Sequence, residues 1–140
     1  MSADYFVDSN VLVYAHDRSA GAKHGMAREL VARLWRERSG VLSTQVLQEF
    51  YVNVRRKVAH PLPEAEARRL VEDYVRWETV SVDGATILDA IDIGSRYRIS
   101  FRDALIVQAA KVSGAVVLYS EDLNHGQTYG DVKVVNPFVD

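Results

Sequence analysis

The sequence predicts an α/β fold in which a short, mainly parallel sheet carries helices on both faces. Short runs rich in Val, Leu and Tyr recur along the chain and alternate with longer segments that have helical apolar spacing. This alternation is typical of parallel sheets, because a parallel crossover needs a connection about as long as a helix. No internal repeat or linker interrupts the 140 residues, so we expect a single domain spanning residues 1–140.

The predicted strands are short apolar or alternating runs bounded by turn-forming residues. They are Tyr5–Val7 and residues 41–42, 79–82, 115–119 and 132–135. The last of them ends at Asn136-Pro137, since proline has no N–H group with which to continue the ladder. Residues 11–15 form a further apolar run without helical character, and Asp8-Ser9-Asn10 before it is typical of a strand-to-helix turn.

The predicted helices have apolar residues three and four apart and begin at a capping residue or a proline. The first covers residues 23–38 and is expected to end at Gly40. The Asp83-capped helix carries the apolar residues Ile87, Leu88 and Ile91, and residues 103–112 are apolar almost all round and therefore expected to be buried on several sides. The remaining predicted helix starts are Ser43 or Thr44, Pro63 at a first helical position, and Ser100.

Four acidic residues adjoin segments that have the composition of a protein core: Asp8, Glu49, Asp103 and Asp122. Asp8 and Asp122 follow predicted strands, and Asp103 lies at the start of a predicted helix. In a parallel sheet these three positions share the carboxyl edge, where ligands bind. Crowded carboxylates repel one another and lose hydration unless a cation joins them, and oxygen ligands suit Mg²⁺ or Mn²⁺. The pattern predicts a metal-dependent enzyme that acts on phosphate groups.

Each acid also has an ordinary structural interpretation. Asp8 and Asp122 are common turn and cap residues. Asp103 completes a capping box with Ser100, and a helix N-terminus stabilises a carboxylate without any metal. Glu49 is a residue type common on exposed helix faces. The catalytic interpretation depends on the joint placement of the acids rather than on any one of them.

Composition excludes several classes of site and partner. The chain has no cysteine, which excludes disulfides and zinc–thiolate centres. A formal net charge of −2 argues against a surface that coats nucleic acid, but it permits a local basic rim. The candidates for RNA contact are Arg102 and the run Arg55-Arg56-Lys57. The four histidines have no metal-ligand spacing and are expected at the surface. No apolar run approaches the length of a membrane span and no signal pattern opens the chain, so we expect a cytoplasmic protein.

Four segments resemble the four motifs of PIN-domain proteins, in the family's order. They are residues 7–15 (VDSNVLVYA), 43–50 (STQVLQEF), 100–106 (SFRDALI) and 119–126 (YSEDLNHG), whose motif acids are Asp8, Glu49, Asp103 and Asp122. Single-domain PIN proteins of this size are most similar to the VapC toxins of bacterial type II toxin–antitoxin pairs. The resemblance implies a three-layer α/β/α domain, a Mg²⁺- or Mn²⁺-dependent endoribonuclease, a VapB-like antitoxin partner and a homodimer.

In the function that the resemblance implies, Asp8, Asp103 and Asp122 hold one or two metal ions. Glu49 is either a further ligand or the group that orients the attacking water. Asn10 and Ser120 are expected to orient the carboxylates.

Other classes of protein are alternatives to this interpretation. A receiver-like signalling domain needs an acceptor Asp at the end of a middle strand, and none follows residues 41–42 or lies within residues 53–60. A PIN-like binding module without activity, or a housekeeping nuclease, is compatible with the sequence.

Overall fold

A computed structural model describes residues 4–139, which fold around one six-stranded sheet. The strands are β1 (Tyr5–Val7), β2 (Gly40–Ser43), β3 (Glu78–Val80), β4 (Val117–Tyr119), β5 (Thr128–Tyr129) and β6 (Val132–Val135). The helices are α1 (Ser9–His16), α2 (Ala22–Glu37), α3 (Thr44–Arg56), α4 (Glu64–Tyr74), α5 (Gly84–Tyr97) and α6 (Phe101–Ser113), with a 3₁₀ turn at Arg18–Ala20. Within the described part of the chain, every helix is too short or too polar to cross a membrane.

The strand order β3-β2-β1-β4-β6-β5 explains the layers of the domain. All pairs are parallel except β5 with β6. The chain moves outward from β1 to β2 to β3, and then returns past β1 to β4. Since parallel crossovers are right-handed, α1 to α4 cover one face of the sheet and α5 and α6 cover the other. The predicted three-layer α/β/α architecture with a mainly parallel sheet is confirmed.

The first helix differs from the sequence prediction, because the apolar run at residues 11–15 is helical. Asp8 caps α1, with its side chain accepting a hydrogen bond from the Ser9 N–H. Val11, Leu12 and Ala15 then share the buried side of this short helix. A run with so few polar residues shows no clear period, which is why the sequence pattern did not reveal the helix.

Two helix boundaries in the structure also differ from the predicted ones. Arg38, in the left-handed conformation with φ 53°, ends α2, and Gly40 instead opens β2. Pro63 lies just before α4 as its cap rather than at its first helical position. The predicted caps at Ser43, Asp83 and Ser100 are confirmed, since each side chain accepts a backbone N–H three residues later.

The two helices of the second layer differ in burial. In α6 the buried set includes Ala104, Ile106 and Val107, as the apolar pattern predicts. In α5, by contrast, Thr86, Ala90 and Ile93 face inward. The predicted apolar residues Ile87, Leu88 and Ile91 are 38%, 65% and 51% exposed, so this helix presents an aliphatic stripe to solvent.

An aromatic cluster joins the first helical layer to the sheet, and it takes in one histidine. His16 Nε2 lies 2.7 Å from Tyr74 Oη, and its ring packs edge-on against Phe50 and Tyr74. Burial, together with the nearby charges of His24 and Arg28, lowers the pKa of His16 to about 4. The prediction that all four histidines are surface residues is therefore wrong for His16, which is half-buried and uncharged at neutral pH.

Candidate active site

Asp8 lies at the centre of the carboxyl edge of the sheet, between the ends of β1 and β4. Strand order reverses at this point, which is where open parallel sheets place their ligands. The side chain is fully buried and accepts hydrogen bonds from the Ser9 N–H (2.7 Å) and from Ser120 Oγ (2.8 Å). Burial raises the pKa of Asp8, although Arg102, Ser120 and Ser9 oppose this shift.

Glu49 reaches the same place from α3, nearly two turns beyond the Ser43 cap. Its carboxylate accepts hydrogen bonds from Ser9 Oγ at 2.8 Å and Gln45 Nε2 at 3.2 Å. Burial acts to raise its pKa, but the hydrogen bonds from Arg102 and Ser9 outweigh burial and lower it. Glu49 is thus held as a carboxylate facing the end of β1.

The other two predicted acids complete the cluster. Asp103 lies in the first turn of α6, where its N–H donates to Ser100 Oγ at 3.1 Å. Asp122 follows β4 and accepts a hydrogen bond from Asn10 Nδ2 at 3.0 Å, while its N–H donates to Ser120 Oγ at 3.2 Å. Asn10 and Ser120 therefore contact two of the acids that they were predicted to orient.

A single guanidinium group, that of Arg102, joins all four carboxylates. Its Nη2 lies 2.6 Å from Asp8 Oδ1 and 2.6 Å from Glu49 Oε1. Its Nη1 lies 3.0 Å from Asp103 Oδ1 and 3.6 Å from Asp122 Oδ2. Burial acts to lower the pKa of Arg102, but the hydrogen bonds that it donates to Asp8 and Glu49 raise the pKa further than burial lowers it. The structure thus brings the four sequence-predicted acids together around one cation.

A fifth acid beside the cluster is neutralised separately. Glu121 accepts a hydrogen bond from Tyr14 Oη at 2.7 Å and is ion-paired with Lys23. Its backbone N–H donates to Asn10 Oδ1 at 3.4 Å. These contacts attach the segment after β4 to α1 and α2, and so fix the backbone that carries Asp122.

The basic run predicted to contact RNA does not join this cluster. Arg55-Arg56-Lys57 lies at the far end of α3, about 10 Å along the helix from Glu49 at 1.5 Å per residue. Arg55 donates to the Leu62 carbonyl at 3.1 Å, which ties this end of α3 to the segment before α4. Arg102, the other predicted RNA contact, lies inside the acidic cluster rather than on an open rim.

Sequence reasoning missed two residues that hold the cluster. Ser9 Oγ donates to Glu49 and accepts from Arg102 Nη2 at 2.9 Å, which links α1, α3 and α6. Gln45 Nε2 donates to Glu49 and, at 3.3 Å, to the Arg102 carbonyl, and its Oε1 is buried without a hydrogen-bond partner. The signals were available, since Ser9 follows Asp8 directly and Gln45 lies one helical turn before Glu49.

The donor set fits a hard divalent cation. Every acid offers oxygen ligands. Asp8 and Glu49 already contact the same atom, Nη2 of the Arg102 guanidinium, at hydrogen-bonding distance. As the side chains stand, no group of three or more Asp, Glu or His residues within residues 4–139 is arranged to hold a metal ion. The guanidinium of Arg102 lies between the carboxylates that would have to converge.

Fold and site together define an α/β/α domain with an acidic cluster at the switch point of its sheet. Residues 5–130 match the family model of the PIN domain, so the chain belongs to the PIN-domain family. A comparison with curated protein sequences found no match.

Solved structures show the same fold at low sequence identity. The VapC20 toxin of Mycobacterium tuberculosis, described as a Sarcin-Ricin loop cleaving toxin, is 21% identical with a TM-score of 0.65, over 85% of this chain and 90% of the toxin. A toxin–antitoxin complex from Klebsiella pneumoniae is 13% identical with a TM-score of 0.69, over 96% and 98%. DNA-bound VapBC from Salmonella typhimurium is 17% identical with a TM-score of 0.65, over 96% and 97%.

Proposed function

We propose that this chain is a divalent-metal-dependent endoribonuclease and the toxin of a type II toxin–antitoxin pair. The observation that carries the proposal is the convergence of Asp8, Glu49, Asp103 and Asp122 on one guanidinium at the carboxyl edge of the sheet. Membership of the PIN-domain family and the fold shared with VapC toxins support it.

In this proposal Asp8, Asp103 and Asp122 bind Mg²⁺ or Mn²⁺, and Glu49 is a further ligand or orients the attacking water. The bound ion supplies a water whose pKa falls toward ~7 and stabilises negative charge on the phosphate oxygens. Asn10 holds Asp122 in place, and Ser120 holds Asp8. Ser9 and Gln45 fix Glu49 from two sides, so that its carboxylate would face the ion or the attacking water in one orientation.

The RNA backbone needs cations beside this acidic site. Arg102 is the closest, and once it leaves the carboxylates its guanidinium is placed to contact a phosphate next to the cleaved bond. Arg55, Arg56 and Lys57 are proposed to contact the RNA further along, since α3 separates them from Glu49 by about 10 Å. We propose that the chain meets this RNA substrate in the cytoplasm.

We further propose a VapB-like antitoxin as partner. The Klebsiella pneumoniae structure is a toxin–antitoxin complex and the Salmonella typhimurium structure is DNA-bound VapBC, and this chain has their fold. We also propose a homodimer. The exposed aliphatic stripe Ile87, Leu88 and Ile91 on α5 supports an interface, because contiguous apolar surface is rarely left in water.

The toxin role is tested by induced expression in a bacterial host. Wild type is expected to slow growth and to leave cleaved fragments in total RNA, whereas Asp103→Asn at matched expression is expected to do neither. Co-expression of the small reading frame adjacent to the gene is expected to restore growth. If wild type and Asp103→Asn are equally harmless, the toxin role fails, and the alternatives of a silent PIN-like binding module or a housekeeping nuclease take its place.

A further inference from the structure

The guanidinium of Arg102 occupies the space that a metal ion shared by Asp8 and Glu49 would need. Nη2 lies 2.6 Å from an oxygen of each of these carboxylates and 2.9 Å from Ser9 Oγ. Mg²⁺ binds carboxylate oxygens at about 2.0–2.1 Å, so an ion bound to both acids would overlap Nη2. The guanidinium and the ion therefore exclude each other.

The charge of the cluster favours the exchange of one cation for another. A single guanidinium faces four carboxylates, and Asp8 among them has no access to solvent. Excess negative charge in a partly buried site attracts further positive charge, because solvent screens it poorly. A small divalent ion brings twice the charge of the guanidinium and binds the same oxygens more closely.

Arg102 is also built to leave without unfolding its helix. The side chain is 32% exposed and emerges from the first turn of α6, where its chain neighbour Phe101 is also exposed. Its backbone is anchored separately, since its carbonyl accepts a hydrogen bond from Gln45 Nε2 at 3.3 Å. The guanidinium can swing into solvent while the carbonyl stays bound to α3.

We propose that Arg102 is a displaceable internal counter-ion of the acidic cluster, which competes with the divalent cation for the same carboxylate oxygens. It thereby raises the cation concentration at which the site fills, and it keeps the four acids together when the cation is away. The inference rests on the proposed function for the identity of the cation, but it concerns binding and not cleavage.

The test is a calorimetric titration of chelator-treated protein with Mn²⁺, without RNA. Arg102→Met keeps the length of the side chain and removes its charge, and we expect it to bind Mn²⁺ about tenfold more tightly than wild type. Arg102→Lys, whose single ammonium cannot bridge four carboxylates, should lie between the two. Arg36→Met, an exposed position on α2, is the matched control and should bind as wild type does.

A second measurement keeps the proposal testable if Arg102→Met does not fold without metal. In wild type, addition of Mg²⁺ in the absence of Mn²⁺ should shift the NMR signal of the Arg102 side-chain Nε–H. This proton should also exchange faster with water, whereas the corresponding signal of Arg36 should not change. An unmoved Arg102 signal at saturating Mg²⁺, or Mn²⁺ binding by Arg102→Met no tighter than by wild type, overturns the competition. If neither protein binds Mn²⁺, the cation site fails and the proposed function fails with it. If both bind alike, only the role of Arg102 fails.

Discussion

Asp8→Asn is expected to lower metal-dependent RNA cleavage by about a thousandfold or more, because a metal ion contributes several kcal/mol to transition-state stabilisation. The reason lies in the position of Asp8, which is fully buried at the strand-order switch and shares Arg102 with the other three acids. An amide has one neutral oxygen where the carboxylate has two charged ones, so it is a poor ligand for a hard cation.

The fold should survive this substitution, since asparagine is also a good helix cap and Arg102 keeps its other acidic partners. If the four carboxylates were unpaired, the loss of one negative charge would raise the stability of the domain. Arg102 offsets only part of the cost of burying the Asp8 charge, which is why the pKa of Asp8 is raised, so we expect the stability without metal to stay equal or to rise. Cleavage and thermal unfolding of the purified proteins are the measurements.

Asp17→Asn is the matched control, because Asp17 caps the 3₁₀ turn and lies outside the cluster. It should cleave as wild type does. If Asp8→Asn cleaves within about threefold of wild type at saturating Mg²⁺, the assignment of Asp8 is wrong.

Gly40→Ala is expected to destabilise the domain by about 3 kcal/mol, the upper range for overpacking a tight core. A Cβ atom at Gly40 would lie 2.3 Å from Cζ3 and 2.6 Å from Cε3 of the Trp77 ring. That ring is itself only 8% exposed and packs against Trp35 and Tyr74, so it has little room to yield. Urea unfolding followed by tryptophan fluorescence measures the change.

Gly25→Ala is the matched control for this substitution. Gly25 lies within α2, and a Cβ there would meet nothing within 4 Å. Alanine should therefore stabilise the domain by about 0.5–1 kcal/mol through its higher helix propensity. Equal stability of Gly40→Ala and wild type would contradict the close packing of Trp77 on β2.

Three of the four acids could be located from the sequence because each of them has a local signal. Asp8 and Asp122 follow apolar runs that end at a turn, and Asp103 follows the cap Ser100 at the start of a helix. Parallel strands bring such ends together whatever the details of packing. The placement of Glu49 needed the four-motif pattern as well, since one acid on a helix is otherwise unremarkable.

Other features depend on tertiary structure and could not be predicted from local pattern. The two-residue strand β5 exists only because Thr128 and Tyr129 pair with β6. Arg102 is 94 residues from Asp8 in sequence. Its position at the start of a helix is compatible with a side chain that points toward RNA or with one that points toward the acids. The direction is determined only in the folded protein, where the sheet edge brings four carboxylates close to this side chain.

The exposed stripe on α5 has a similar origin. Its spacing predicts an apolar helix, but α5 packs through Ala90 and Ile93, and its Gly94 lies close to Ala104 of α6. Small residues allow the two helices to approach closely, and this rotates Ile87, Leu88 and Ile91 outward. Periodicity identifies an apolar face but does not say whether the domain itself or a second chain covers it.

The claim that the four carboxylates form one divalent-cation site is tested most directly by substoichiometric Mn²⁺ in an NMR titration of wild type. The ion's unpaired electrons broaden the NMR signals of nearby nuclei. We therefore expect the backbone amide signals around Asp8, Glu49, Asp103 and Asp122 to disappear first. The broadening falls steeply with distance, so the signals of Arg55-Arg56-Lys57, at the far end of α3, should broaden only at higher Mn²⁺ concentrations. Broadening centred elsewhere, or none at these four positions, would contradict the account.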